Sequence, residues 1–150
     1  AAERVAAAVT AARSLPYRFT LTARAENYLW GRPDLKDTIK RLQAFQEAGA
    51  DVLYAPGLKT REEIAAVVSS VDRPVNVVMG LVGAQLSLEE LSGIGVRRIS
   101  VGSSLQRAAL GAFLRAAGEM SAKGTFTYAA EAASPKDVTP IFDSFRSREI

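Results

Sequence analysis

Apolar residues recur along the chain with two alternating periods, one helical and one extended. Between Glu3 and Ser14, Val5, Ala8, Val9 and Ala12 fall on one stripe of a helix that Pro16 closes. Phe19 to Ala23 (FTLTA) has the aromatic and β-branched content of a short buried strand. Arg24 to Pro33 reads as a loop carrying Arg24, Glu26, Asn27, Tyr28 and Trp30 ahead of Gly31. A second helix is predicted from near Asp34 to Ala48, with Leu35, Ile39, Leu42 and Phe45 on one face and Gly49 as its stop. Asp51 to Tyr54 is extended, and Pro56–Gly57 turns the chain.

The pattern then repeats. Thr60 and Glu63 have capping-box spacing, and Ile64, Val67 and Val68 form the buried side of the helix they start. Pro74 to Met79 is an apolar strand interrupted only by Asn76. Ser87 and Glu90 repeat the capping box before a short helix ended by Gly93 and Gly95, and Val96 to Val101 is the next strand. Gly102, Ser103 and Ser104 lead into a helix lasting to about Met120. Regularity fails from Gly124; Ser134–Pro135 starts a last short helix, and the SFRSREI ending reads as an exposed or partner-bound tail.

Four strand–helix units in succession, with strands starting near 19, 51, 74 and 96, predict parallel β structure covered by helices. Periodicity alone leaves two architectures, a small open sheet or half of a closed barrel. An open dinucleotide-type sheet would carry a glycine-rich phosphate loop after its first strand, where this chain has Arg-Ala-Glu-Asn. Leu21, Val52, Leu53, Val75, Val77 and Ile99 are the apolar strand residues expected to face a barrel interior.

Composition narrows the chemistry. The 150 residues are 48% hydrophobic and 23% charged, with no apolar run near the length of a membrane span and no signal-peptide layout at the start. With no cysteine there is no disulfide, thiolate nucleophile or cysteine-bound metal, and the cytoplasm is the default compartment. Histidine is also absent, so acid–base work falls to Asp, Glu, Lys or Tyr. The net charge of +3 is spread out, with Arg97–Arg98 and Lys40–Arg41 the densest pairs, and no nucleic-acid motif accompanies it. Neither a nucleic-acid nor a membrane partner is expected.

Arg24 stands where a strand ends, and its guanidinium fork suits a carboxylate or phosphonate, unless it serves only to pair with Glu26 and hold the loop. Glu26 either orients that arginine, helps bind a metal through water or caps the loop, and orienting the arginine is the most economical of the three, since an unpaired semi-buried guanidinium is costly. Asn27 either touches substrate or closes a turn on its own backbone. Asn76, a polar residue in an apolar strand, needs hydrogen-bond partners, which are a substrate oxygen or neighbouring side chains. Gly80 to Gly83 and Gly102–Ser103–Ser104 either present backbone N–H groups to an anion or simply turn. The lysines at 36, 40, 59, 123 and 136 lie off the strands, Lys59 reading as solvated, which argues against a Schiff base.

Four blocks, LTARAEN at 21–27, RLQAFQEAGADVLYAPGL at 41–58, PVNVV at 74–78 and GVRRISVGSSL at 95–105, resemble the isocitrate lyase/phosphoenolpyruvate mutase superfamily. The similarity is to its phosphonomutase-like and carboxyphosphonoenolpyruvate-mutase-like members and covers about residues 1–125. It implies a (β/α)₈ TIM-type barrel of which this chain is the C-terminal half, strands five to eight, with residues 126–150 a helical tail packing on the barrel or on a partner subunit. It further implies a Mg²⁺-dependent lyase or mutase that breaks or rearranges a C–C or P–C bond of a small 2-oxocarboxylate or phosphonate through an enolate-like intermediate. Arg24 and Glu26 are then the catalytic candidates, and Arg24, Asn27, Asn76, Gly102 and Ser103 the substrate contacts. No metal ligand is expected in this chain, since the resemblance puts the Mg²⁺ ligands in the N-terminal half. A homodimer or homotetramer is expected of the complete protein, and inactivity of residues 1–150 alone. Pro56 stands where isocitrate- and methylisocitrate-cleaving members carry a glutamate, which disfavours those two activities. Competing readings are a phosphate-binding barrel enzyme of another family and a non-catalytic half-barrel or assembly protein.

Overall fold

A computed structural model describes residues 1–81 and 83–146. Val82 and the end of the predicted tail, 147–150, lie outside the described residues, as does the side chain of Phe145. The chain divides into two units, Ala1–Leu105 and Gln106–Ile150.

In the first unit, helix α1 (Ala2–Arg13) precedes strand β1 (Thr22–Arg24), α2 (Leu35–Glu47), β2 (Val52–Tyr54), α3 (Arg61–Ser69), β3 (Val75–Val78), α4 (Leu88–Gly93) and β4 (Arg98–Ser100). Helix α5 (Ser104–Lys123) starts at its end. The four strands pair in chain order and all in parallel, as successive βα units do. The result is a four-stranded parallel sheet with flanking helices, consistent with roughly half of a (β/α)₈ barrel.

Register fixes which side chains share a face. Thr22, Ala23 and Arg24 pair with Val52, Leu53 and Tyr54; Leu53 and Tyr54 pair with Val75 and Asn76; Asn76, Val77 and Val78 pair with Arg98, Ile99 and Ser100. Because side chains alternate along a strand, Ala23, Leu53, Val75 and Val77 point to one face. They cluster there with Leu42 and Phe45 of α2, Ile64 and Val67 of α3 and Leu91 of α4. Leu42, Leu53, Ile64 and Val67 are fully buried, each worth about 1.5–3 kcal/mol of hydrophobic stabilisation. Leu53, Val75 and Val77 therefore face the helices and not the opposite side. That side is polar: Arg24, Tyr54, Asn76 and Arg98 form one row across all four strands, with Ser100 one step further along β4.

The helix starts follow local chemistry. Thr60–Glu63 and Ser87–Glu90 form complete capping boxes, and Asp34 caps α2 through the Asp37 N–H. The strand limits differ from the expected ones. β1 covers Thr22–Arg24 instead of 19–23, and Phe19 is exposed. The ladder sets this limit: Asp51 and Val52 donate to the Leu21 carbonyl, and the Asp51 carboxylate accepts the Leu21 N–H at 2.8 Å. β4 begins at Arg98, two residues later than expected, because Val96 donates back to the Leu91 carbonyl to finish α4.

In the second unit, α5 runs past the expected Met120 to Lys123, and a 3₁₀ segment (Thr127–Glu131) and a twelve-residue helix α6 (Pro135–Arg146), with Pro140 inside it, follow. The Glu119 carboxylate gathers the turn after α5, accepting from Thr125 Oγ1, Thr127 N and Oγ1, and Tyr128 N. Phe113, Leu114, Phe126 and Phe142 are exposed in this unit. Among the described residues no helix is long and apolar enough to cross a membrane.

Asp51 gives a test of how α1 is fastened. Its carboxylate also accepts from Arg13 Nη2 at 2.6 Å. The Arg13 hydrogen bond first, and the Leu21 N–H second, hold it below the usual carboxylate range. A folded-state pKa below the unfolded one stabilises the fold above the unfolded value of about 3.9 and loses that contribution as pH falls through the folded value. Asp51→Asn should thus cost stability at pH 6, and urea unfolding at pH 6 and pH 3 should find the gap from wild type narrowing in acid.

Candidate active-site face

The polar row lies at the ends of β1 and β2, beside a cleft of about 990 Å³ whose lining includes Arg24, Tyr54, Lys59, Val78, Ser100 and Gly102. In parallel barrels the ends of the strands and the loops after them build the site.

Arg24 closes β1. Its Nε donates to Glu26 Oε1 at 2.5 Å, and its Nη2 makes an ion pair with the same oxygen. The guanidinium carbon sits 5.3 Å from the centre of the Tyr54 ring, within cation–π range. Glu26 thus takes one edge of the fork, and the donors on Nη1 remain for a ligand. Burial raises the Tyr54 phenol above its ordinary pKa, with the Arg24 charge opposing, so Tyr54 stays a neutral hydrogen-bond donor at neutral pH. Glu26 does not line the large cleft. It borders a smaller one of about 430 Å³ with Arg4 and Arg41, between α1, β1 and α2.

Asn27 is buried and turned toward α2. Its Nδ2 donates to Thr38 Oγ1 at 2.5 Å and lies 3.2 Å from both the Arg32 and Asp34 carbonyls, so it fastens the loop to the first turn of the helix. Its Oδ1 is buried without a hydrogen-bond partner among the described residues. Tyr28 ties the same loop to α3, donating to Glu63 Oε1 at 3.0 Å. Burial, and then this hydrogen bond, push the Tyr28 phenol up to about 12.

Asn76 is buried beneath the cleft with both ends of its amide engaged, Oδ1 by Arg98 Nη1 at 2.6 Å and Nδ2 with Ser100 Oγ at 3.1 Å. Of the remaining expected contacts, Gly102 lines the cleft at φ +52°, whereas Ser103 is exposed in the turn before α5 and does not. Gly80 is required by a close approach: a Cβ there would lie 2.7 Å from Ser104 Oγ. The structure therefore brings Arg24, with Glu26 behind it, and Gly102 to the cleft, and leaves Asn27 and Ser103 away from it. Tyr54 and Ser100 join them although the sequence did not single them out, and so does Lys59, which the sequence reads as solvated. A period-two reading from Arg24 across four strands would have found Tyr54 and Ser100, but only with the register known. Lys59 is exposed as expected, yet it borders the cleft.

Among the described residues no three His, Cys, Asp or Glu side chains are grouped to hold a metal ion. The one carboxylate beside Arg24 is spent on it, and Arg24 and Lys59 make the cleft cationic, so these residues do not by themselves fit a divalent cation.

The phosphoenolpyruvate phosphomutase family model matches residues 1–121. A protein from Burkholderia cenocepacia J2315 assigned as a lyase/mutase is 62% identical, with a TM-score of 0.89 over 94% of this chain and 51% of its own. A second protein from the same organism, assigned as a phosphonomutase, is 31% identical, with a TM-score of 0.69 over 79% of this chain and 49% of its own. A phosphonopyruvate hydrolase is 27% identical, with a TM-score of 0.74 over 98% of this chain and 52% of its own. The chain spans about half the length of these solved relatives. No curated protein matches it. Ordered sequence blocks, sheet topology and the family match agree, and the chain belongs to the isocitrate lyase/phosphoenolpyruvate mutase superfamily.

Proposed function

We propose that the complete protein is a lyase or mutase that breaks or rearranges a C–C or P–C bond of a small 2-oxocarboxylate through an enolate-like intermediate. The observation that carries this reading is Arg24: a guanidinium at a strand end, on the face away from the helices, half occupied by Glu26 and bordering the cleft. The phosphonopyruvate hydrolase relative was solved with oxalate and Mg²⁺, and an oxaloacetate acetylhydrolase, 26% identical, with oxalate. Oxalate has the planar, dianionic shape of a pyruvate enolate, which is the charge distribution an arginine fork receives well.

In this reading Arg24 binds the substrate carboxylate or phosphonate, Glu26 holds the guanidinium in plane, and the Gly102 backbone borders the bound anion. Arg24 and the Lys59 charge favour the negative charge that develops on the enolate oxygen, a gain largest where water is excluded. Mg²⁺ is proposed as the cofactor, with its ligands in the N-terminal half of the barrel, as the superfamily resemblance implies. Residues 1–125 are assigned to the C-terminal half of a barrel and 126–150 to a tail that packs on it or on a partner subunit, in a homodimer or homotetramer.

Arg24→Lys keeps the charge and loses the fork, so kcat/KM of the complete protein for its 2-oxocarboxylate should fall by the equivalent of about 2–5 kcal/mol with thermal unfolding nearly unchanged. An unchanged kcat/KM removes Arg24 from the site. Deleting 134–150 should weaken assembly, because exposed apolar rings such as Phe142 lie in that segment. Light scattering that finds a monomer with and without the tail contradicts the oligomer.

A further inference from the structure

Asn76 is an expensive residue for its position. Its strand neighbours Val75 and Val77 pack in the core, and Asn76 itself is only 2% exposed. A valine there would avoid burying an amide, which costs stability unless every end is satisfied. The amide is satisfied in one orientation only. A guanidinium has donors and no acceptor, so the atom 2.6 Å from Arg98 Nη1 has to be Oδ1. Nδ2 is thereby turned to the other side, where it meets Ser100 Oγ at 3.1 Å. The serine oxygen accepts that bond, and its own proton is directed elsewhere. Among the described residues the Ser100 hydroxyl has no acceptor of its own: Val78, its partner on β3, is apolar, and Gly102 has no side chain. Ser100 borders the cleft that Arg24 also lines.

We propose that Ser100 donates a hydrogen bond to an anionic oxygen of the substrate, and that Asn76, locked by Arg98, is the positioning residue that aims it. This rests on the reading of the cleft as a 2-oxocarboxylate site and adds a specificity determinant to it. The donor recognises an oxyanion, so the site favours a carboxylate or enolate oxygen over a neutral group at that point. Asn76 acts through Ser100 and not by touching the substrate.

The chain of donors has a direction, and one near-isosteric change reverses it. Asn76→Asp keeps an acceptor for Arg98 but replaces the donor to Ser100 by a second acceptor, which draws the serine proton away from the cleft. Ser100→Ala removes the donor altogether, whereas Ser100→Thr keeps it.

Titration calorimetry of oxalate binding to the complete protein with Mg²⁺ present, each variant first checked by thermal unfolding, tests this. Ser100→Ala and Asn76→Asp should each weaken oxalate by about tenfold, the loss of one hydrogen bond to a charged group. The double variant should bind no more weakly than Asn76→Asp alone, since an acceptor at position 76 already turns the Ser100 proton away from the cleft. Ser100→Thr should bind close to wild type. If Ser100→Ala binds oxalate as wild type does, or if the two losses multiply in the double variant, the relay is overturned while the site reading stands. If wild type itself fails to bind oxalate, the 2-oxocarboxylate reading falls and the relay falls with it.

Discussion

A parallel strand sends successive side chains to opposite faces, and the register of its neighbours decides which of them meet. Here the helices claim one face: Leu53, Val75 and Val77 are held against Leu42, Ile64, Val67 and Leu91. A one-residue slip of β1, β3 or β4 would turn Arg24, Asn76 or Arg98 into that core, so the packing of the helices enforces the register. The same register gathers Arg24, Tyr54, Asn76 and Arg98 into one row on the other face. The hydrophobic core thus positions the polar row, although no core residue belongs to it.

Two cations on the polar face are handled differently. Arg24 is neutralised by Glu26 and stacked over Tyr54, which fixes its plane while leaving part of its fork for a ligand. Arg98 has no carboxylate partner among the described residues, and its hydrogen bond goes to the Asn76 amide. The face is therefore suited to anions, in keeping with a superfamily of lyases and mutases acting on small 2-oxocarboxylates. Among the described residues β1 and β4 each have a single strand neighbour, so both sides of the sheet are open. Such edges carry unpaired backbone groups that further strands can satisfy.

What could be read in the sequence was what local chemistry determines. The capping boxes of Thr60–Glu63 and Ser87–Glu90 formed as spaced, because each involves only neighbouring residues. Arg24 was visible because it follows an apolar run and a strand end is a natural mouth position. The strand limits were less legible: Phe19 looks like a strand residue, but pairing with the segment at Asp51 decides that β1 starts at Thr22. Asn27 and Asn76 show the same limit. Both were recognisable as polar residues needing partners, yet their partners, Thr38 in one case and Arg98 and Ser100 in the other, come from elements 11 to 24 residues away. Tyr54 and Ser100 were missed because each is unremarkable until the neighbouring strand is in register with it.

In the proposed function, the face of this sheet opposite α2, α3 and α4 receives the substrate anion. A crystal structure of the complete protein with oxalate and Mg²⁺ measures that most directly. An oxalate oxygen is expected within about 3 Å of the Arg24 guanidinium, with Glu26 still on the other edge of the fork. Oxalate bound elsewhere, with Arg24 engaged only by Glu26, contradicts it.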